Sequence, residues 1–206
     1  MEISVLLLDE FEYLDDRQPY IELSEITASV LDGSMIAQNI ELDLNQPINE
    51  FSIFLSALSL EKLLALNQTK DLIASGHFDG ELPLQINNGE ILINDGWIKA
   101  DEAGGFIKYG KVGEVLVGND NLVMVGELLK DFRYNEMSAQ VNLNSEGGLF
   151  LATKLHGRSP TAELNKQVNL NFNIEFNLWK FLESARLLTR IDQDISKQII
   201  SNESKK

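Results

Sequence analysis

Two histidines, His77 and His156, and 32 acidic side chains are the groups in this 206-residue sequence that could support acid–base or metal chemistry. His77 and Asp79 stand two apart in Gly76-His77-Phe78-Asp79-Gly80, so on a strand the imidazole and the carboxylate share one face. Acid–base catalysis needs a pocket around such a pair, and nothing in the sequence writes one. His156, in Leu155-His156-Gly157-Arg158, has no helix-spaced second ligand and no Ser or Cys nucleophile motif beside it. Both histidines read as ordinary turn or sheet residues. The acids Asp15-Asp16 and Asp192/Asp194 and the loop Gly118-Asn119-Asp120-Asn121 lack the spacing and closing Glu of a calcium loop, and read as solvated carboxylates. With no cysteine there is no disulfide, thiolate metal site or thiol nucleophile. GxSxG, Walker and HExxH patterns are absent, and Gly104-Gly105 and Gly147-Gly148 fall between strand-like runs, as turns rather than phosphate cradles. The residues predict no catalytic group, no metal, no cofactor and no enzyme.

Composition narrows the partners. A formal charge of −15 argues against nucleic acid, which selects clustered Lys and Arg. The first apolar run, Val5 to Leu8, is four residues between acids, too short for a signal core or for a span of about 20 residues. Any anchor or export signal is therefore expected outside this chain.

The elements that must position any site are mainly strands. Ile3 to Leu8, Tyr20 to Leu31, Ser34 to Leu44 and Phe51 to Leu55 are strand-like runs punctuated by Asp32-Gly33 and Gln46-Pro47. At Leu60, Leu63, Leu64 and Leu66 the period becomes helical, with Ser59 as N-cap and Glu61 in the first turn. From Gly76 to Tyr109 the dipeptides Asn88-Gly89, Asp95-Gly96 and Gly104-Gly105 predict a meander of tight hairpins. Asn88-Gly89 would pair Ile86 with Ile91 and Leu84 with Ile93, Asp95-Gly96 would pair Ile93 with Ile98, and Gly104-Gly105 would pair Ala100 with Tyr109. One face then carries Leu82, Leu84, Ile86, Ile91, Ile93, Ile98 and Ala100. A helix is expected over 120–131, and a second hairpin around Glu146-Gly147-Gly148 pairing Leu143 with Leu151 and Ala139 with Leu155. Val168 to Leu178 alternates strictly, with Val168, Leu170, Phe172, Ile174, Phe176 and Leu178 on one side and Asn169, Asn171, Asn173, Glu175 and Asn177 on the other. An amphipathic helix follows from Leu178 toward Ile199. The fold class is mainly β (α+β): an antiparallel curved sheet, β-groove or open barrel with about three helices, as one domain over 1–206 with a possible sub-boundary near 45–58. The apolar faces fit either a packed core under helices or a groove for acyl chains, and both require the same alternation.

The segments LSLEKLLAL, GHFDGELPLQI, INDGWIKADEAGGFIKY, LKDFRYNEMSAQVN and LATKLHGRSP, in that order, resemble the C-terminal region of the YdbH family of AsmA-like envelope proteins. The likeness is strongest over residues 50 to 178 and departs mildly at Asp131, where the family pattern has Asn. It implies a fragment of a larger periplasmic protein, anchored in the inner membrane by a segment absent from this chain, with a long apolar β-groove that carries phospholipid. It also implies a small outer-membrane lipoprotein as partner, joined by β-augmentation at an open sheet edge. An older family label, dicarboxylate transport, carries little weight, because the net charge repels a dianion. If a groove exists, the residues expected to face lipid are Leu84, Ile86, Ile91, Ile93, Ile98, Leu170, Phe172, Ile174 and Phe176. Three functions compete: a lipid-transfer module, a docking module without lipid, and an enzyme acting on carbohydrate or dicarboxylate, which would need His and Asp converging in a polar cleft.

Overall fold

The computed structural model describes residues 5–7, 20–66, 71–110, 126–160 and 166–183. Within them the alternating runs form β1 (Val5–Leu7), β2 (Tyr20–Val30), β3 (Gly33–Asp43), β4 (Ile48–Ser59), β5 (Leu72–Ala74), β6 (His77–Asn87), β7 (Glu90–Ala100), β8 (Gly105–Tyr109), β9 (Phe132–Leu143), β10 (Gly148–Arg158) and β11 (Val168–Asn177). The leucine-spaced segment forms α1 (Leu60–Ala65), and residues 126–129 and 178–183 are also helical. The helix expected over 120–131 ends at 129, with a turn at 130–131; its residues 120–125, the continuation beyond 183, the calcium-like loop 118–121 and the acids at 15–16 and 192–194 lie outside the described residues.

One antiparallel sheet holds every strand, in the order β1-β2-β3-β4-β6-β7-β9-β10-β11, with β8 paired to both β5 and β9. Among the described residues β11 pairs only with β10 and β1 only with β2, so the sheet is open rather than closed into a barrel. The mainly β, antiparallel class follows as the alternation predicts.

Local chemistry explains the sharp corners. Leu31 and Asp32 both have positive φ (51 and 62), as do Asn88 and Gly89 (50 and 85), the geometry of a two-residue turn whose twist matches its flanking strands. The second turn sets Leu84 opposite Ile93 and Ile86 opposite Ile91, in the expected register. Ser59 caps α1, its hydroxyl accepting the Lys62 N–H at 3.3 Å, with Glu61 in the first turn. Pro47, which cannot donate to a ladder, falls in the turn between β3 and β4.

The other two reversals expected in the meander are not reversals. Asp95-Gly96 is a bulge inside β7: Asp95 has φ 55, its N–H donates to Asn142 Oδ1 at 3.0 Å, and its Oδ1 accepts from Gln140 Nε2 at 2.8 Å. Side chains of β9 thus satisfy the bulge, and β9 takes the place beside β7. Ile93 pairs with Leu84 and Leu143 rather than with Ile98. Gly104-Gly105 is a jog. After Lys99↔Ser138 the chain makes a short detour and resumes in the same direction along β9 at Gly105↔Tyr134, so Ala100 faces Phe78 while Tyr109 pairs with Leu72. In the β9–β10 hairpin Leu143 pairs with Leu149 and Ala139 with Thr153, two residues from the expected register. Its loop is 144–147, closed by the Asn144 side chain, which accepts the Gly148 N–H at 2.7 Å. A shift of two leaves every side chain on its predicted face.

Beside the jog, Tyr134 reaches across to donate its hydroxyl to the Ser75 carbonyl at 2.6 Å. Gly76, Gly104 and Gly105 leave room for this contact: a Cβ on Gly105 would meet the Ser75 oxygen at 2.1 Å, and one on Gly104, whose φ is +66, would meet the Tyr134 carbonyl oxygen at 2.3 Å. Gly104→Ala should therefore lower the urea midpoint by the equivalent of about 3 kcal/mol or more, whereas Gly89→Ala, with open space around it, should cost about 1 kcal/mol. Equal midpoints for the two variants would contradict this assignment. Burial, and secondarily the Asp101 carboxylate, push the Tyr134 phenol up to about 12 from the ordinary 10. A folded-state value above the unfolded one means the folded state holds the proton more tightly. This contribution to stability is whole below pH 10 and is lost as pH rises from 10 through about 12. Tyr134→Phe should cost about 1 kcal/mol at neutral pH and lack this part of the alkaline loss, as urea titrations across that range would read.

Candidate functional site

Strand register assembles the apolar side chains into one continuous inner face. Phe51, Leu84, Ile93, Leu143, Leu149 and Phe176 form a row across six strands, and Ile53, Leu82, Val141, Leu151 and Ile174 extend it. Along the strands the face divides in two. Toward the end where β4 meets α1, Leu55, Leu58, Phe78, Ala100, Met137 and Leu155 pack with Phe132, Tyr134 and Leu128, and α1 adds Leu60 and Leu63. Toward the end bearing the turns 44–47, 88–89 and 144–147, most of the same face is only half-buried.

The nine residues expected to face lipid fall on both sides of this division. Leu84, Ile86 and Ile91 are half-buried in the bare part, where Ile93, the cross-strand partner of Leu84, is buried beside them. Phe172 and Ile174, on the edge strand β11, stay 36% and 40% exposed although both project to the inner face. Phe176 is half-buried with its ring tilted against Phe181, centroids 5.6 Å apart. Leu170 belongs to the packed cluster and Ile98 packs against it. Phe51, Leu149 and Leu151 join the bare part without having been singled out from the sequence. Their alternation is visible there, but only the neighbour relations β4-β6 and β7-β9 bring them to the same side as Leu84.

The chemistry-bearing residues do not converge. His77 Nδ1 is 3.8 Å from Asp101 Oδ2, while Asp79 is occupied by the bulge at Ala57, whose N–H it accepts at 2.8 Å. His156 Nδ1 and Asn169 Oδ1 are 2.6 Å apart across the β10–β11 pair. On the outer face an open cleft of ≈ 770 Å³ is lined by Asp79, Trp97, Lys99, Asp101, Glu102 and Glu136 among others, four carboxylates against one ammonium. That balance repels a dicarboxylate. Among the described residues no grouping of His, Asp and Glu suits a metal ion. Elsewhere on the sheet the Gln38 amide, and then the Thr27 hydroxyl, hold the Glu25 carboxyl below its ordinary range. This bond ties β2 to β3.

Comparison with known proteins places these features. The family model described as YdbH-like, "Intermembrane phospholipid transport protein YdbH", matches residues 9–200. The probable phospholipid transport protein YdbH of Escherichia coli (strain K12) is 28% identical over 181 residues, 84% of this chain and 20% of that protein. The chain thus spans one fifth of its curated relative's length. No solved structure matches.

Proposed function

This chain belongs to the YdbH-like family, and from that premise we propose that it is a module for intermembrane phospholipid transport whose bare inner face carries acyl chains. The observation that carries the reading is the pair Phe172 and Ile174, large apolar side chains left exposed on the inner face of a sheet that is open among the described residues. Leu84, Ile86, Ile91 and Phe176 continue that surface inward. Acyl chains need apolar area and no directional groups, each buried CH₂ being worth about 0.8 kcal/mol, so this face supplies affinity without headgroup chemistry. Ile93 and Leu170, being buried, and the half-buried Ile98, being packed against the core cluster, support the wall rather than touch the chains.

Among the described residues β11 pairs with β10 alone, so its other side, from Val168 to Asn177, suits β-augmentation by a strand of a small outer-membrane lipoprotein. In this reading the module works in the periplasm, within a longer protein held in the inner membrane by a segment outside this sequence. Among the described residues no helix is long and apolar enough to cross a membrane. A docking module without lipid is the second reading, favoured by the packing that already fills one part of the face.

Native mass spectrometry separates the two. The wild-type chain should co-purify with phospholipid, and the double variant Phe172→Asp, Ile174→Asp should lose it with little change in thermal midpoint, because both side chains are already exposed. Leu170→Asp should instead unfold the domain, as a charge placed in a packed cluster does. Lipid retained by the double variant, or a lipid-free wild type that still binds the lipoprotein, would transfer the assignment to docking.

A further inference from the structure

We propose that the turn end of the sheet is a contact surface for a zwitterionic phospholipid bilayer, an inference that rests on the acyl-chain reading above and adds where those chains enter or leave. The rim there is continuous. The Asn88 N–H donates to the Pro47 carbonyl at 2.7 Å, joining the first two turns. The Ile93↔Leu143 pair sets the start of β7 beside the loop 144–147. The helical residues 178–183 sit on that loop, with the Leu178 N–H donating to the Gly147 carbonyl at 2.8 Å and the Trp179 ring lying where Gly147 would carry a Cβ.

Large apolar side chains point out of this rim. Leu44 is 58% exposed and Trp179 40%, and Ile48 and Leu182 are exposed as well. Trp179 combines a broad apolar ring with one N–H, the combination that favours the water–hydrocarbon boundary. Next to these lie the inner-face residues Ile86, Ile91 and Phe176, so an acyl chain could pass from bilayer to sheet while staying against apolar side chains.

Charge selects the kind of bilayer. The rim carries the carboxylates of Asp43, Glu90 and Glu146 among the amides of Asn45, Asn88 and Asn144, with Lys180 as its cation among the described residues. Lys62, Lys108, Lys130, Arg133, Arg158 and Lys166 all stand at the opposite end of the strands. An anionic surface is repelled at the rim, whereas the outward ammonium groups of a zwitterionic surface complement its carboxylates.

The sequence contains two tryptophans, which makes the test direct. With Trp97→Phe, Trp179 is the sole reporter. On adding phosphatidylcholine vesicles its emission should shift to shorter wavelength and be quenched by lipids brominated along the acyl chain, and the protein should float with the vesicles. With Trp179→Phe, Trp97 on the outer face should remain unquenched. Leu44→Asp with Leu182→Asp, both at exposed sites, should lower vesicle partition about tenfold or more while leaving co-purified phospholipid in place. An unquenched Trp179, a quenched Trp97, or tighter binding to phosphatidylglycerol vesicles than to phosphatidylcholine would overturn the proposal. Vesicle docking by a chain that never co-purifies with phospholipid would instead overturn the acyl-chain reading and leave the rim as a membrane contact.

Discussion

Parity is the constraint on which this sheet depends. A strand repeats every two residues, so one apolar side can run the length of an eleven- or twelve-residue strand only if no step is lost. Several strands here lose a step and recover it by a bulge. In β7 Ile91 and Ile93 precede Asp95, and Gly96, Ile98 and Ala100 follow it on the same side. In β4 Leu55 and Leu58 are both buried across the positive-φ residue Ala57. In β9 Tyr134 and Met137 are both buried with the exposed pair 135–136 between them, and Ala37 and Ile40 bracket Asn39 in β3 in the same way. Each extra residue bends its strand and raises local twist, so the correction that keeps the face continuous also curves it.

That curvature yields a face used in two ways. Where α1 and residues 126–129 lie over it, the side chains interdigitate as in any core, and Phe132 and Leu155 are sealed from solvent. Where no described helix covers it, the same alternation leaves leucines, isoleucines and phenylalanines partly wet. The packed part makes the bare part tolerable, because it supplies the stability that an exposed apolar surface does not. A packed core and a bare apolar face, which the sequence presents as rivals, therefore occupy successive stretches of the same strands.

How much was legible follows from which interactions are local. The turn at Asn88-Gly89, the cap at Ser59, the break at Pro47 and the alternation of β11 depend on a few neighbouring residues, and each was readable. Asp95-Gly96 and Gly104-Gly105 carry the same dipeptide chemistry as a hairpin, since a bulge and a jog also need positive φ or a missing side chain. What decides between the outcomes is distant: Asn142 and Gln140 satisfy Asp95, and Tyr134 closes over Gly105. The face composition survived the wrong connectivity, because the bulge returns Ile98 and Ala100 to the side the hairpin would have given them. Exposure was the illegible part. Leu170 and Phe172 look alike in an alternating run, and only the position of the covering elements separates a core residue from a bare one.

The strand order, almost the order of the sequence, also shapes how such a protein can grow. Each long strand touches its neighbours in the chain and little else, as units do in a solenoid, so stability is built from nearest-neighbour terms. Among the described residues, a hairpin appended beside β11 would meet a ten-residue strand and find its inner row of apolar side chains already in phase. Length in this architecture is consequently a nearly free variable: the distance such a sheet reaches can be altered by duplication or loss of strand pairs, without redesign of the strands that remain.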